Sequence, residues 1–460
     1  MFINRKQELE ILKNTLQSPR AEFFVLYGRR RVGKTELMKQ ILKERADAIY
    51  FVGRLEAPYD MLDRLSSITA KKLRDERLAR FPFRSVDEAF HYFSEKQELV
   101  LILDEFPYMA STESSISSVL QDYWDHKIKS TKSKIFVCGS SIAMMEKQFF
   151  NYSSPLYGRR TKQLNLLPLK FLSLKDFFPG SGLKDLIEIY AVFGGTPAYL
   201  LEYEGNIFET IKIRILQKEE FLYKDAEFIL REELREPRYY FSIIRSIAFG
   251  NATSGKIIND TGLSKGVVGK YLQVLQDLDI IERIIPVTES IKSRSGIYKI
   301  KDNYFRFYFR FVFPNLEHVE LGEQDFVLDK IKSEFPRYLG PAFETIMFEI
   351  LREHRNLLPM EFEKMGSWWK AGEEIDLVAV NEKADEILFG EVKYTTRKMG
   401  FKVLNDLKKK SKKVKWGSEN RKEHYLLVSL SGFDEDLIEL ATAEKITLID
   451  GNQLEKVVFQ

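Results

Sequence analysis

Residues Gly28 to Thr35 read GRRRVGKT, a gapless match to the pattern G-x-x-x-x-G-K-[ST]. The apolar run FFVLY precedes the octapeptide, and the helix-forming stretch ELMKQILKE follows it. No other feature constrains the fold as strongly, because such a loop works only between a buried strand and a helix N-terminus. The glycines let the backbone of Gly28, Arg29, Arg30, Arg31, Val32 and Gly33 turn its amides inward around phosphate oxygens. Lys34 is then expected to reach the β- and γ-phosphates of ATP, and the Thr35 hydroxyl to ligate Mg2+. A basic loop matching by accident is the alternative, and the flanking strand and helix argue against it.

The alternation of strand and helix continues beyond the loop. AIYFVG, LVLILDE, KIFVCGSS and QLNLLPL read as buried parallel strands with amphipathic segments between them, one opened by a capping box at Ser85 and Glu88. This is the pattern of an α/β layer architecture. LVLILDEF ends in Asp104 and Glu105. In a P-loop fold Asp104 is placed to hold magnesium through water, and Glu105 to orient and deprotonate the attacking water. ATP hydrolysis is the expected activity, slow if the protein works as a switch.

Composition narrows the classes. The net charge of +3 on 460 residues is close to neutral, so any nucleic-acid surface must be local. The single cysteine, Cys138, excludes an intramolecular disulfide and a cysteine zinc cage, and five scattered histidines leave oxygen ligands as the expected metal donors. The opening MFINRKQELE lacks the apolar core of a signal peptide, and no apolar run is long enough to span a bilayer. A cytoplasmic protein without membrane partners is expected; the oligomeric state, including a homo-oligomer, stays open.

Composition shifts divide the chain into residues 1–170, a P-loop ATPase domain; 171–236, a helical lid; 237–301, a winged-helix module; 302–334, a helical linker; and 335–460, a second α/β unit. Within the third segment, SGKIINDTGLSKGVVGKYLQVLQDLDIIERI has the cadence of a helix-turn-helix. Gly262 makes the turn, Ser264 caps the second helix, and Val267, Tyr271, Leu272 and Leu275 form its buried side. ESIKSRSG between two following strands reads as a basic wing. Lys265, Lys270, Lys292 and Arg294 are candidates for DNA phosphate contacts, against the equal alternative of a solvated basic face. KDNYFRFYFRFVFP carries aromatics at helical spacing and reads as a core helix.

GRRRVGKT, LILDEF, FVCGSSIAMM, SPLYGRR and FGGTPAYL, in that order, resemble the archaeal-type P-loop ATPases of the STAND/AAA-like group, as does the opening FINRKQEL. The resemblance implies that Ser140 is a polar sensor at a strand end. It also implies that Arg159 or Arg160 faces the γ-phosphate, with a surface salt bridge as the alternative for each, and that Pro197 packs near the adenine, with a helix N-terminal proline as its alternative. FEKMGSWWKAGEEIDLVAV…FGEVKY resembles the domain of unknown function that often follows this ATPase.

Glu391 and Lys393, two apart in EILFGEVKY, project from one face of a strand. Asp376 opens the apolar strand of EEIDLVAV fifteen positions upstream, a gap suited to a hairpin, and Glu344 lies on the amphipathic helix GPAFETIMFEIL. Glu344, Asp376, Glu391 and Lys393 resemble the PD-(D/E)xK nuclease core, with Ile375 in place of the proline before the aspartate. The resemblance implies a restriction-endonuclease-like α/β domain. In it Asp376 and Glu391 bind magnesium, the Val392 carbonyl assists, Glu344 completes the shell or positions water, and Lys393 steadies the nucleophile. The basic helix LNDLKKKSKKVKW would hold DNA, or form an ordinary solvated face. Two functions follow as expectations: an ATPase regulating a metal-dependent DNA nuclease in DNA processing or defence, or a nucleotide-dependent switch with a non-cleaving C-terminal domain.

Overall fold

The apolar runs of the first third form a five-stranded sheet in the computed structural model, which describes residues 3–234 and 236–459. Phe2 of the opening stretch lies outside the described residues. Strands β1 (Glu22–Tyr27), β2 (Ile49–Val52), β3 (Val100–Asp104), β4 (Lys134–Gly139) and β5 (Lys162–Asn165) lie in the order β2-β3-β4-β1-β5. Every pairing is parallel. β1, β3 and β4 are buried nearly throughout, as strands covered on both faces must be. β5 departs from its expected buried character. Among the described residues only β1 borders it, and its Gln163 and Asn165 side chains are exposed.

The chain divides into two compact units, Met1–Pro168 and Leu169–Gln460. The second begins with helices. At FGGTP, Gly195 presses on the chain at Leu169, whose amide donates to the Gly195 carbonyl at 2.7 Å. A Cβ at Gly195 would lie 1.7 Å from the Leu169 carbonyl oxygen, so no other residue fits there. Helices Ser254–Thr261 and Lys265–Asp277 follow, with Gly262 left-handed between them at φ 68°. Ser264 occupies the N-cap position of the second helix but its side chain makes no cap bond. The buried stripe of that helix is Val268, Leu272 and Leu275; Val267 and Tyr271 flank it half-buried, because the i, i+4, i+7 register selects Val268. β6 (Ile281–Ile284) and β7 (Ile297–Ile300) pair antiparallel.

The aromatic segment is buried on all sides, with Tyr304, Phe305, Phe307, Tyr308 and Phe309 at 0% exposure. One helix then runs from Gln324 to Glu353, straight through the 334/335 position where the sequence pattern was divided. Pro336 and Pro341 lie inside it, but a continuous apolar stripe from Val327 to Leu351 holds it together. The final sheet has the order β12-β11-β10-β9-β8. β8 (Lys364–Lys370), β9 (Glu373–Asn381) and β10 (Glu386–Lys393) form an antiparallel meander; β11 (Lys422–Ser429) and β12 (Thr447–Asp450) add in parallel. Helix Phe401–Ser411 makes the first crossover and Glu435–Glu444 the second.

The long helix is tied to the start of its unit by Glu349, whose carboxylate accepts from the amides of Phe171 at 3.1 Å and Leu172 at 3.0 Å. Glu349→Ala leaves both amides unpaired and is expected to destabilise the protein by about 1–3 kcal/mol. A lowered midpoint of the second unit in urea titration checks this, and an unchanged midpoint contradicts it.

Candidate nucleotide site and a carboxylate–lysine cluster

The glycine loop closes between β1 and helix Lys34–Glu44. Gly28 has φ 147° and Gly33 φ 99°, both in the region open to glycine, while Arg31 is left-handed at φ 70°. A Cβ at Gly28 would also lie 2.4 Å from the Leu166 carbonyl oxygen, so both steric space and dihedral require glycine. Lys34 is buried, and its ammonium donates to the carbonyls of Gly28 and Arg29, each at 2.7 Å. The parallel register carries Asp104 to the same end of the sheet. Its Oδ2 accepts from the Thr35 hydroxyl at 3.1 Å.

Glu105 is left-handed at φ 51° and begins helix Phe106–Thr112. Its Oε2 accepts twice from Ser140, from the amide at 3.1 Å and the hydroxyl at 2.9 Å. The structure therefore joins Gly28 through Thr35, Asp104, Glu105 and Ser140 in one place. It engages the two arginines elsewhere: Arg159 pairs with Asp125 at 3.2 Å, and Arg160 donates to the Phe149 carbonyl and lies over the Phe150 ring. Pro197 sits at N1 of the short helix Pro197–Leu200, in the second unit.

Two residues of this site escape sequence reasoning. Tyr50, on β2, donates to Asp104 Oδ2 at 2.6 Å; burial, with the Asp104 charge, holds its phenol well above the usual range. Arg5, 8% exposed, donates to the carbonyls of Val32 at 3.0 Å and Leu167 at 2.7 Å, and pairs with Glu8. It clamps the glycine loop to the chain after β5. A basic residue in a polar opening helix carries no local signal of such a bond; the preference for pairing a buried guanidinium appears only once the fold is closed.

The second cluster lies on the meander. The register Gly390↔Leu377 makes Glu391 and Asp376 the next facing pair. Asp376 Oδ2 accepts from the Val392 amide at 3.0 Å and from the Lys393 ammonium at 3.2 Å. The same ammonium meets Glu391 Oε1 at 2.7 Å. Desolvation works against the charge on Lys393, but the two carboxylates outweigh it and lift its pKa above the usual range. Glu391 Oε2 is buried without a hydrogen-bond partner among the described residues and has the Lys410 ammonium 3.5 Å away.

Glu344 lies within electrostatic reach of Asp376, and burial first, then that charge, push its pKa up to about 7. It does not complete a three-carboxylate cage: among the described residues, no three His, Cys, Asp or Glu side chains are grouped to hold a metal. The lysines of the basic helix are partly committed to internal pairs, Lys408 with Glu444, Lys410 with Glu391 and Lys413 with Glu373. Ser429, opposite Lys393 in the register and fully buried, keeps a hydroxyl with no hydrogen-bond partner among the described residues; its lack of charge hid it in the sequence.

A family model described as an ATPase domain predominantly from Archaea matches residues 2–203. An uncharacterized protein of Methanocaldococcus jannaschii is 38% identical over 432 residues, 93% of this chain and 95% of its own. The chain belongs to this archaeal-type ATPase family. The ATPase match contains the glycine loop, Asp104, Glu105 and Ser140. A second family, of archaeal and bacterial proteins of unknown function, matches residues 308–413 and contains Glu344, Asp376, Glu391 and Lys393. An uncharacterized ATP-binding protein of the same organism is 51% identical over 45 residues, 10% of this chain and 76% of its own. Among solved structures, the Walker-type ATPase of Pyrococcus abyssi is similar over 67% of this chain and 96% of its own, at 20% identity and a TM-score of 0.49. The ATPase domain is an α/β fold with a central parallel sheet, and among the described residues no helix is long and apolar enough to cross a membrane.

In this ATPase Arg5 is a test of loop clamping. Arg5→Ala removes two charge-assisted bonds to backbone carbonyls, the one to Val32 buried, each worth about 1.5–3 kcal/mol. The expected result is a lower thermal midpoint and severalfold weaker ATP-analogue binding, read by scanning fluorimetry and calorimetry. Wild-type values for both would remove Arg5 from the site.

Proposed function

We propose that the chain is a magnesium-dependent ATPase of the STAND/AAA-like group whose nucleotide cycle regulates a DNA-cleaving C-terminal domain. The domain scheme of the proposal is a P-loop domain, helical lid, winged helix, linker and nuclease-like domain, within the segments drawn from the sequence. The observation that carries the ATPase half is the 3.1 Å bond from Thr35 to Asp104, which unites the glycine loop with the acidic strand end. Those two oxygens, one hydroxyl and one carboxylate, fit a cation that keeps most of its waters and shares phosphate ligands. Asp376 and Glu391, the latter with a buried oxygen lacking a hydrogen-bond partner among the described residues, fit a second oxygen-bound cation. Magnesium bound by Thr35 and Asp104, or by Asp376 and Glu391, would supply neutralising charge on phosphate oxygens and acidify a bound water.

The chain's own groups do the remaining work. Lys34 exchanges its two loop carbonyls for the β- and γ-phosphates, and Tyr50 holds Asp104 in its orientation. Glu105 takes the proton of the attacking water after leaving Ser140, so the Ser140 bonds set a resting state of low turnover. Lys34→Ala is expected to abolish ATP turnover. Glu105→Gln keeps nucleotide binding and slows hydrolysis by about 100-fold or more in a phosphate-release assay. Wild-type turnover by Glu105→Gln would assign the base elsewhere.

For the second half, the supporting arrangement is Lys393 bridging Asp376 and Glu391. Lys393 would stabilise the nucleophile and the developing phosphorane charge, and Glu344, with its raised pKa, would hold a proton beside the scissile phosphate. The same bridge favours a second reading: an ammonium already neutralising both carboxylates suits a non-cleaving binding platform switched by nucleotide. Plasmid nicking with Mg2+ or Mn2+, with and without ATP, separates the two. Cleavage lost in Asp376→Ala and in Lys393→Ala supports the nuclease; no cleavage under any metal or nucleotide condition leaves the switch.

A further inference from the structure

The loop between β6 and β7 is not free. The Val287 amide donates to the Ser367 carbonyl at 3.0 Å, and the Trp369 indole donates to the Ser295 carbonyl at 2.9 Å. Val287 also packs on the hydrophobic core of the C-terminal sheet and touches the position of Gly366. Both anchors lie on β8, the edge strand of that sheet, so the loop covers an edge that would otherwise expose unpaired backbone groups. Arg283, on β6, donates to the Ser293 carbonyl and Ser293 bonds Glu289, so the loop has a defined shape.

Its position relative to the carboxylates follows from strand register. β8 is irregular between Gly366, facing Val378, and Trp368, facing Ile375, which leaves Ser367 opposite Asp376 and Leu377. The loop therefore lies two strand spacings from the Asp376 backbone, roughly 10 Å. That is the length of about three nucleotides along one strand of a duplex. Residues 281–301 carry five basic side chains against two acidic ones. Lys292 and Arg294 are exposed, and neither forms an ion pair among the described residues. Lys299, on β7, is near enough to Glu344 to act on its charge. A wing bonded in this way cannot swing with helix Lys265–Asp277 as an independent reader of bases.

We propose that residues 285–296 form the substrate-entry wall of the Asp376–Glu391–Lys393 cluster, holding the phosphodiester backbone of duplex DNA beside it. The inference deepens the nuclease reading and rests on that assignment of the cluster, but it is tested by binding rather than by cutting. Full-length protein is titrated against a short fluorescein-labelled duplex by anisotropy, with Ca2+ in place of Mg2+. Lys292→Ala with Arg294→Ala is expected to weaken binding by about tenfold or more and to flatten the log–log salt slope by about two units. Lys265→Ala with Lys270→Ala should have the smaller effect. Trp369→Phe, which keeps an aromatic ring but releases the Ser295 carbonyl, should weaken binding as well, while ATP hydrolysis in all three variants reports an intact first unit.

Duplex binding that is absent in the wild type, unchanged in the Lys292/Arg294 variant, or carried mainly by Lys265 and Lys270 overturns the proposal. Binding that depends on the wing in a protein that never cuts DNA upholds it and sinks the nuclease reading alone.

Discussion

Asp104 ends an apolar strand and is 2% exposed, where an ionised carboxylate is costly unless donors surround it. Thr35 and Tyr50 supply them, one from the glycine loop and one from a neighbouring strand. Asp376 meets the same demand through the Val392 amide and Lys393, and half-buried Glu105 is held by Ser140. The need to satisfy buried carboxylates thus dictates which polar groups stand at the strand ends of both sheets. Apolar packing builds the strands, and these few donors determine what the strand ends can do.

The two sheets solve this problem in different ways. The all-parallel sheet gathers residues far apart in the chain, because every parallel pairing needs a crossover and all strands then end on one side. Asp104 and Glu105 are held by neutral donors, which leaves their charge available to a cation. The antiparallel meander gathers residues close in sequence, and the ammonium of Lys393 already compensates its acids. A cation entering there competes with a lysine, whereas one entering at Asp104 competes with hydroxyls.

Much of the fold was legible in local pattern. GRRRVGKT with its flanking strand and helix, the apolar strand ending in Asp104 and Glu105, the turn at Gly262 and the face shared by Glu391 and Lys393 all follow from periodicity and backbone chemistry. The capping box was legible in part: Ser85 accepts from the Glu88 amide, but Glu88 reaches back to Arg84 rather than to Ser85. Helix register was harder. Val268 and not Val267 is fully buried, since one position of rotation around a helix depends on the partner surface and not on the stretch itself. The division at 334/335 missed a helix that persists through two prolines, because burial along its length outweighs local breaking signals.

The chain by itself determined which segments become strands and helices, and where backbone must turn tightly around an anion. Those properties depend on spacing, glycine and apolar alternation within a few residues. Tertiary structure alone decided that Arg5 would clamp the loop, that Tyr50 would orient Asp104, that Lys410 would face Glu391, and that the basic loop between β6 and β7 would be bound to the edge of β8. Each of these is a pairing between groups many residues apart. A buried charge or an open strand edge acquires its partner only when the whole chain has brought the two together, so the free energy that selects the partner does not exist in any local stretch.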